Sequence, residues 1–414
     1  MQVLHPRCCG LDVHKLKVTA CALLQDGEGG ARSEIREFGT VTRELLRLAD
    51  WLRELGVQQI AMESTGAYWR PVWNILEACG FSQMLVNARD MKAVPGRKTD
   101  IRDAEWIADL LQHGLLRPSF IPDLPLRQLR DLTRMRAKLT EDHTRVVNRL
   151  QAVLEDANIK LASVVTDVVG VSAREMLTCM LEGMCDAERL AQLARGRMRP
   201  KIPRLLVALE GHLTDHHRFM IRSLLRQLDF LGQERATVEA EIDRHLVAEY
   251  QDAVLLWQTI PGVDHVTACV LAAEIGIRTD QFRSAAHLAS WVGICPGNNE
   301  SAGKRKSGRT RHGNVWLRGA LCRAAWAASH TKGTYLAMQF RRLAKRRGRK
   351  RAIFALGHTI LIIAYHMWRT KQSYRDLGED YFDRVDKHRT TRALLKRLNR
   401  LGCEVTLSDR NPEA

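Results

Sequence analysis

Four carboxylates stand out because their neighbours are wrong for them. Asp12 lies in the apolar run "CCGLDVHK", between Leu11 and Val13. An ionised side chain is costly there unless a cation or strong donors meet it. Glu63 sits near the end of the equally apolar "IAMEST". Asp100 and Asp103 are three residues apart at the start of "TDIRDAEWIADLLQHG", and a helix there projects both from one face. Ala104, Ile107 and Leu111 continue roughly along that face, which turns the acids toward a sheet. Two strand acids and a helix pair can gather one or two hard divalent cations. Magnesium takes carboxylate and water oxygens and keeps positions open for a phosphate. Two such ions about 3.5–4 Å apart serve phosphodiester chemistry. Each acid also has a plainer reading. Asp100 fits a helix N-cap with Asp103 at N3, Glu63 can pair with Arg70 or Lys15, and Asp12 can be a turn acid.

A second stretch, "CPGNNESAGKRKSGRTRHGN" at 295–314, has the glycines and the Gly-Lys pair of a phosphate loop but not its spacing. Five residues separate Gly297 from Gly303, and Lys304 is followed by Arg305, so the hydroxyl that should sit on magnesium is missing. Ser301 is the more interesting group. Ala302 and Gly303 leave room for a backbone phosphate, and Lys304, Arg305, Lys306, Arg309 and Arg311 follow within ten residues. A serine hydroxyl is a poor nucleophile until its proton is drawn off or a metal activates the phosphate. Cations and Mg²⁺ nearby stabilise charge developing on the phosphoryl oxygens. Attack on DNA would leave a phosphoserine link that keeps the bond energy for rejoining without ATP. The plainer reading is a loop serine in a Gly/Asn-rich turn, and Ser307 has similar surroundings.

Charge points the same way. Of the 64 Lys and Arg, 19 fall between Ser301 and Arg375, where there is no Asp or Glu. The remaining 45 face 47 acids, so this one segment carries the whole excess of +17. Such a field attracts polyanions and releases their counterions. Within it, "RRLAKRRGRKR" at 341–351 puts eight cations in eleven residues, among them Arg346, Arg347, Arg349 and Lys350. These position a phosphate backbone rather than read sequence. Trp316, Trp326 and Tyr335 lie between the basic clusters; they can stack on bases, although core packing suits the two tryptophans better.

The elements that must position these groups follow from periodicity. Residues 8–115 read as three strands, then helix, strand, helix, strand and helix, an α/β layer with antiparallel and parallel pairings. From about Leu124 to Tyr250 the pattern is helical. Leu129, Leu132, Leu139, Val146, Leu150 and Val153, then Leu224, Leu228, Leu231, Val238, Ile242 and Leu246, mark two long helices around a smaller insert. That predicts a coiled-coil arm that either oligomerises or folds back on itself. Residues 254–375 read as a second, mostly helical unit. Its "TIPGVDHVTACVLAAEIG" has the shape of a helix-hairpin-helix whose amides can hold a phosphate. The tail after about Leu377 is expected to fray.

The 414 residues suffice for two or three domains. Ten cysteines lack any zinc-ligand spacing, which suggests reduced thiols. The N-terminus has no apolar core of a signal peptide, and the apolar run "AIFALGHTILIIAYHMW" is too short to span a bilayer. A cytoplasmic chain is the expectation from these features.

A strand Asp, a strand-end Glu and a helix Asp pair, in that order, form the ribonuclease-H-like arrangement. "GLDVHK", "MESTGAYW", "KTDIRDAEWIADLL", "IPGV" and "PGNNESAGKRKSGRTRHGN" together resemble, over nearly the whole chain, the DEDD-type insertion-sequence transposases, also described as bridge-RNA-guided recombinases. The resemblance implies an α/β plus all-α fold. A RuvC-like metal domain would occupy 1–122, a helical coiled-coil linker 123–250, a helical Tnp domain with a helix-hairpin-helix 251–376, and a tail 377–414. It implies Mg²⁺ (or Mn²⁺) on Asp12, Glu63, Asp100 and Asp103, and Ser301 as nucleophile. It further implies DNA as substrate, a non-coding guide RNA, and a homotetramer, a dimer of dimers in which one protomer's metal domain faces another's serine. The same resemblance implies a bacterial chain, associated with the nucleoid. Two competing functions are a two-metal junction resolvase with Ser301 structural and a non-catalytic nucleic-acid-bridging protein.

Overall fold

The computed structural model describes residues 2–25, 31–63, 66–87, 102–184, 186–278, 281–296, 299–301, 304–307, 310, 312–403 and 405. The chain divides into two compact units, Met1–Pro122 and Asp123–Ala414.

The first unit is a mixed α/β layer. Strands β1 (Arg7–Val13), β2 (Lys17–Gln25) and β3 (Ala31–Gly39) form an antiparallel meander. Helix α1 (Thr42–Glu54) then leads to β4 (Gln59–Glu63), and α2 (Trp69–Ala78) leads to β5 (Ser82–Val86), both parallel additions beside β1. The strand order is β3-β2-β1-β4-β5. Alternation along β1 explains the layering. Cys9, Leu11 and Val13 face a core shared with Leu45, Leu48 and Leu52 of α1 and Leu76 of α2. Each of those fully buried leucines contributes about 1.5–3 kcal/mol. Cys8, on the opposite face, packs with Ala61, Val86, Ile107, Leu110 and Leu111, the last three residues belonging to α3 (Arg102–Gln112).

The second unit is largely helical. Helix α4 (Leu124–Asp156) is followed by an insert of α5 (Val171–Leu181), α6 (Ala187–Gln192) and α7 (Ile202–Leu209), and then by α8 (Asp215–His245). Leu126 and Leu129 share a core with Val238 and Ile242, whereas Val146 and Leu150 share another with Leu224 and Leu228. The two long helices are therefore antiparallel and fold back on each other within the chain. Arg136 and Glu239 clamp them at 2.7 Å.

Next come α9 (Ala248–Gln258), α10 (His265–Ile275) and α11 (Ala285–Val292), the short hairpin β6 (Asn299–Ser301) and β7 (Lys304–Ser307), then α12 (Val315–His330), α13 (Tyr335–Arg347) and α14 (Arg349–Thr370). The apolar α14 is a core helix: Leu356, Ile360, Leu361 and Ala364 are fully buried, and the Ala364 carbonyl accepts from Trp257 Nε1 at 2.9 Å. Among the described residues no helix is long and apolar enough to cross a membrane.

Two expectations need correction. The tail does not fray directly after Leu377; it forms α15 (Tyr381–Val385) and α16 (Lys387–Arg400). Tyr381 and Phe382 pack on Tyr335 at 5.1 Å, and the Arg342 guanidinium lies 4.4 Å above Phe382. Aromatic contacts thus hold a segment whose composition alone suggested solvent. Trp326 is not core either. It is 51% exposed and packs at 4.7 Å, tilted, against His330, one helical turn on.

Candidate metal centre and serine hairpin

The acidic site is assembled by small residues. A Cβ added to Gly10 would meet the Ala104 carbonyl at 2.3 Å and the Ala108 nitrogen at 2.4 Å, so α3 lies directly on the β1 backbone. Cys8 Sγ reaches the Ala108 carbonyl at 3.6 Å. Helix and strand therefore run in opposite directions, and the first turn of α3, with Asp103, overlies the C-terminal end of β1, with Asp12. β1 and β4 are parallel with Leu11 opposite Met62. One step further along, each strand presents an acid, Asp12 and Glu63, on the face that α3 covers.

The electrostatics agree. Asp12, with a side chain only 14% exposed, has its pKa raised first by burial, then relieved by His14 and raised again by the charges of Asp103 and Glu63. His14 Nε2 lies 3.0 Å from Asp12 Oδ2. Three of the four expected acids thus share one corner; Asp100 lies outside the described residues. An all-carboxylate donor set with one acid held above its ordinary pKa fits a hard divalent ion, whose charge would reverse that shift.

Ser301 ends β6, paired antiparallel with Lys304, while Glu300 pairs with Arg305 and Asn299 with Ser307. Ser301 is therefore at the tip of the hairpin and Ser307 at its far end, which separates the two candidates that looked alike in sequence. Lys304 and Lys306 lie on β7 with Arg305; Arg309 and Arg311 lie outside the described residues.

The neck of the hairpin is anchored to the helical core. A Cβ on Gly313 would meet the Val292 carbonyl at 2.3 Å, so the returning chain presses on the end of α11. Asn314 caps α12 by accepting from the Leu317 amide at 3.0 Å, and its amide donates to Glu274 Oε2 at 2.6 Å. Glu274 is fully buried and takes both arms of Arg134 at 2.7 and 2.8 Å. Arg130 donates to the Ala273 and Glu274 carbonyls at 2.6 and 2.7 Å; burial lowers its pKa to about 10.

Arg346, Arg347, Arg349 and Lys350 are all exposed, around Gly348 at the corner between α13 and α14. Cations suit the end of α13 but oppose the dipole at the start of α14. That unfavourable placement is understandable if an anionic partner meets the corner.

The Pro-Gly turn does not offer the expected phosphate cradle. Asp264 caps α10 by accepting from the Thr267 amide at 2.8 Å, which sets a negative charge where a phosphate would bind. Gly262, at φ 86°, instead presses on α12, where a Cβ would meet the Ala324 carbonyl at 2.4 Å. Beside this turn lies an open cleft of about 640 Å³ reached by Arg134, Trp316 and Arg323.

Sequence reading missed His14, which follows the last residue of β1 and whose only signal was its two-residue spacing from Asp12. It also missed Glu274 and Asn314, which are forty positions apart and carry no joint motif.

Residues 9–159 match the DEDD transposase family model of IS110, and residues 255–340 match the model described as "Transposase IS116/IS110/IS902 family"; together they cover more than half of the chain. The chain is 24% identical over 356 residues to the transposase for insertion sequence element IS1111A of Coxiella burnetii, covering 82% of this chain and 87% of that protein. It is 28% identical over 302 residues to an uncharacterized 43.6 kDa protein of insertion element IS110 from Streptomyces coelicolor, covering 68% and 73% respectively. Among solved structures, Thermus thermophilus RuvC matches over 27% of this chain and 99% of its own, at 13% identity and a TM-score of 0.21.

Proposed function

The chain belongs to the IS116/IS110/IS902 family of insertion-sequence transposases, and from that premise we propose that it cuts and rejoins DNA using a metal-carboxylate site together with a serine nucleophile. The observation that carries the metal half is the convergence of Asp12, Glu63 and Asp103 on one corner, where burial raises the Asp12 pKa and the charges of Asp103 and Glu63 add to the rise. With Asp100, these residues would hold Mg²⁺ or Mn²⁺. When bound, the ion supplies Lewis-acid stabilisation of the phosphoryl oxygens.

The rest is done by the chain. Ser301 Oγ attacks the scissile phosphorus and loses its proton, and the departing DNA oxygen takes one up. The phosphoserine bond holds the strand until a DNA hydroxyl attacks it and restores the serine. Lys304, Arg305, Lys306, Arg309 and Arg311 balance charge on the phosphate. The exposed Arg346, Arg347, Arg349 and Lys350 track a nucleic-acid backbone.

Following the family resemblance, we assign a RuvC-like role to 1–122, an arm to 123–250, a Tnp role to 251–376 and a tail to 377–414. A non-coding guide RNA selects the DNA, and a tetramer supplies metal site and serine from different protomers. A metal-dependent nuclease that leaves Ser301 structural is the second reading, favoured by the acidic corner taken alone.

The test of the metal half is cleavage of a supercoiled plasmid carrying the element's ends, with element-encoded RNA present. Asp12→Asn and Asp103→Asn should each lower Mg²⁺-dependent cleavage by more than the about 10–100-fold of an outer-sphere change. Full activity in either variant rejects the site.

A further inference from the structure

A different cluster, in the second unit, presents ligands for a different class of metal. Asp243 stands in the last turn of α8, while His265 and Cys269 are four apart on one face of α10, a His/Cys spacing that the sequence reading, which found no zinc pattern among the cysteines, passed over. His265 Nε2 lies 2.7 Å from Asp243 Oδ1 and 3.6 Å from Cys269 Sγ. One ligand atom from each side chain falls within 4.8 Å of the others.

The geometry separates two readings of this trio. In a nucleophilic triad the acid and the thiol address opposite ring nitrogens. Here both address Nε2, so three donors converge on one point, as ligands do. Bonds of about 2.0–2.3 Å to zinc place tetrahedral ligands roughly 3.3–3.8 Å apart. The His–Cys distance already fits. Asp243 needs to open by about 0.6 Å on the same bond lengths, which its 57% exposed side chain allows.

The surroundings supply two further parts of a metal site. Gln258 Nε2 lies 3.0 Å from His265 Nδ1. Turning that amide over would let its oxygen accept from Nδ1–H, the tautomer that frees Nε2 for a metal. A cavity of about 20 Å³ touches all three ligands, room for about one water in the fourth position.

We propose that Asp243, His265 and Cys269 bind one zinc-class divalent ion, with water as fourth ligand, and so pin the end of the returning arm helix to the first turns of α10. On binding, the Cys269 thiol gives its proton to solvent and the His265 proton moves to Nδ1. Burial pushes that thiol up to about 12, with Asp243 and Asp264 adding to the rise and Arg136 opposing it. Arg136 is itself paired with Glu239, which limits its repulsion of a cation.

The test uses Co²⁺ as a zinc substitute on the full chain under reducing conditions. The thiolate-to-cobalt charge-transfer band reports sulfur ligation, which the carboxylate site cannot produce, so this outcome is separate from that of the Mg²⁺ reading. Expected are one such site per chain, loss of its band in Cys269→Ser, and at least tenfold weaker binding in Asp243→Asn, a surface change that spares the core. Absence of the band in the unaltered chain overturns the proposal. So does a band that survives Cys269→Ser, or Asp243→Asn binding as tightly as the parent.

Discussion

The acidic corner and the serine hairpin solve opposite placement problems. At the corner, acids must be forced together against their own repulsion, and the fold does this through the core. Gly10 removes the side chain that would hold α3 away, and Ala104 and Ala108 complete the close approach. At the hairpin, Ser301 ends the first of two short paired strands, and the contacts that anchor the element lie in the chain that follows it. There the fold fixes the neck, through Gly313 against α11 and Asn314 on the buried Glu274. The metal site should therefore be sensitive to packing, and the serine to a polar network that touches no substrate.

The largest effect expected from breaking this contrast is at the network. Glu274→Gln keeps the shape but leaves Arg130 and Arg134, whose side chains are 12% and 26% exposed, without their anion. Removing one partner of a buried ion pair costs about 3–5 kcal/mol. Urea unfolding should show that loss as a lower midpoint with an unchanged slope. A loss below about 1 kcal/mol, the range of an exposed pair, would mean the network does not hold the neck.

A smaller effect is expected at the corner. Gly10→Ala forces α3 off β1 and should cost about 1–3 kcal/mol, as overpacking does. Its signature is selective: Mg²⁺-dependent cleavage falls while affinity for nucleic acid is retained. Equal loss of both would make Gly10 a general stability residue instead.

Much of the corner was legible in the sequence because each acid interrupts a local apolar pattern. Asp12 and Glu63 could be placed on strands, and Asp103 on a helix start, from neighbours alone. What brings them together was not legible. Gly10 looks like any strand glycine until a helix is known to cross it. The neck was hidden for a similar reason, since Glu274 sits in the last turn of α10, within the apolar "LAAEIG", and its partners come from α4 and from the residue before α12. The tail was misread because mixed charge conceals Tyr381 and Phe382, which find Tyr335 only in three dimensions. Asp264 shows the converse error: the Pro-Gly turn was recognised, but the acid that closes it to phosphate was not weighed.

The central claim joins a serine to metal-assisted strand exchange, and trapping the covalent intermediate tests it most directly. Full-length protein, element-encoded RNA and end-labelled DNA carrying the element's ends are incubated with Mg²⁺, denatured, and separated on a gel. The account predicts labelled DNA migrating with the protein, its attachment mapped to Ser301, and no such species from Ser301→Ala even though that variant folds and binds the same nucleic acids. An adduct that persists in Ser301→Ala, or recombination by that variant at the parent's rate, would contradict it.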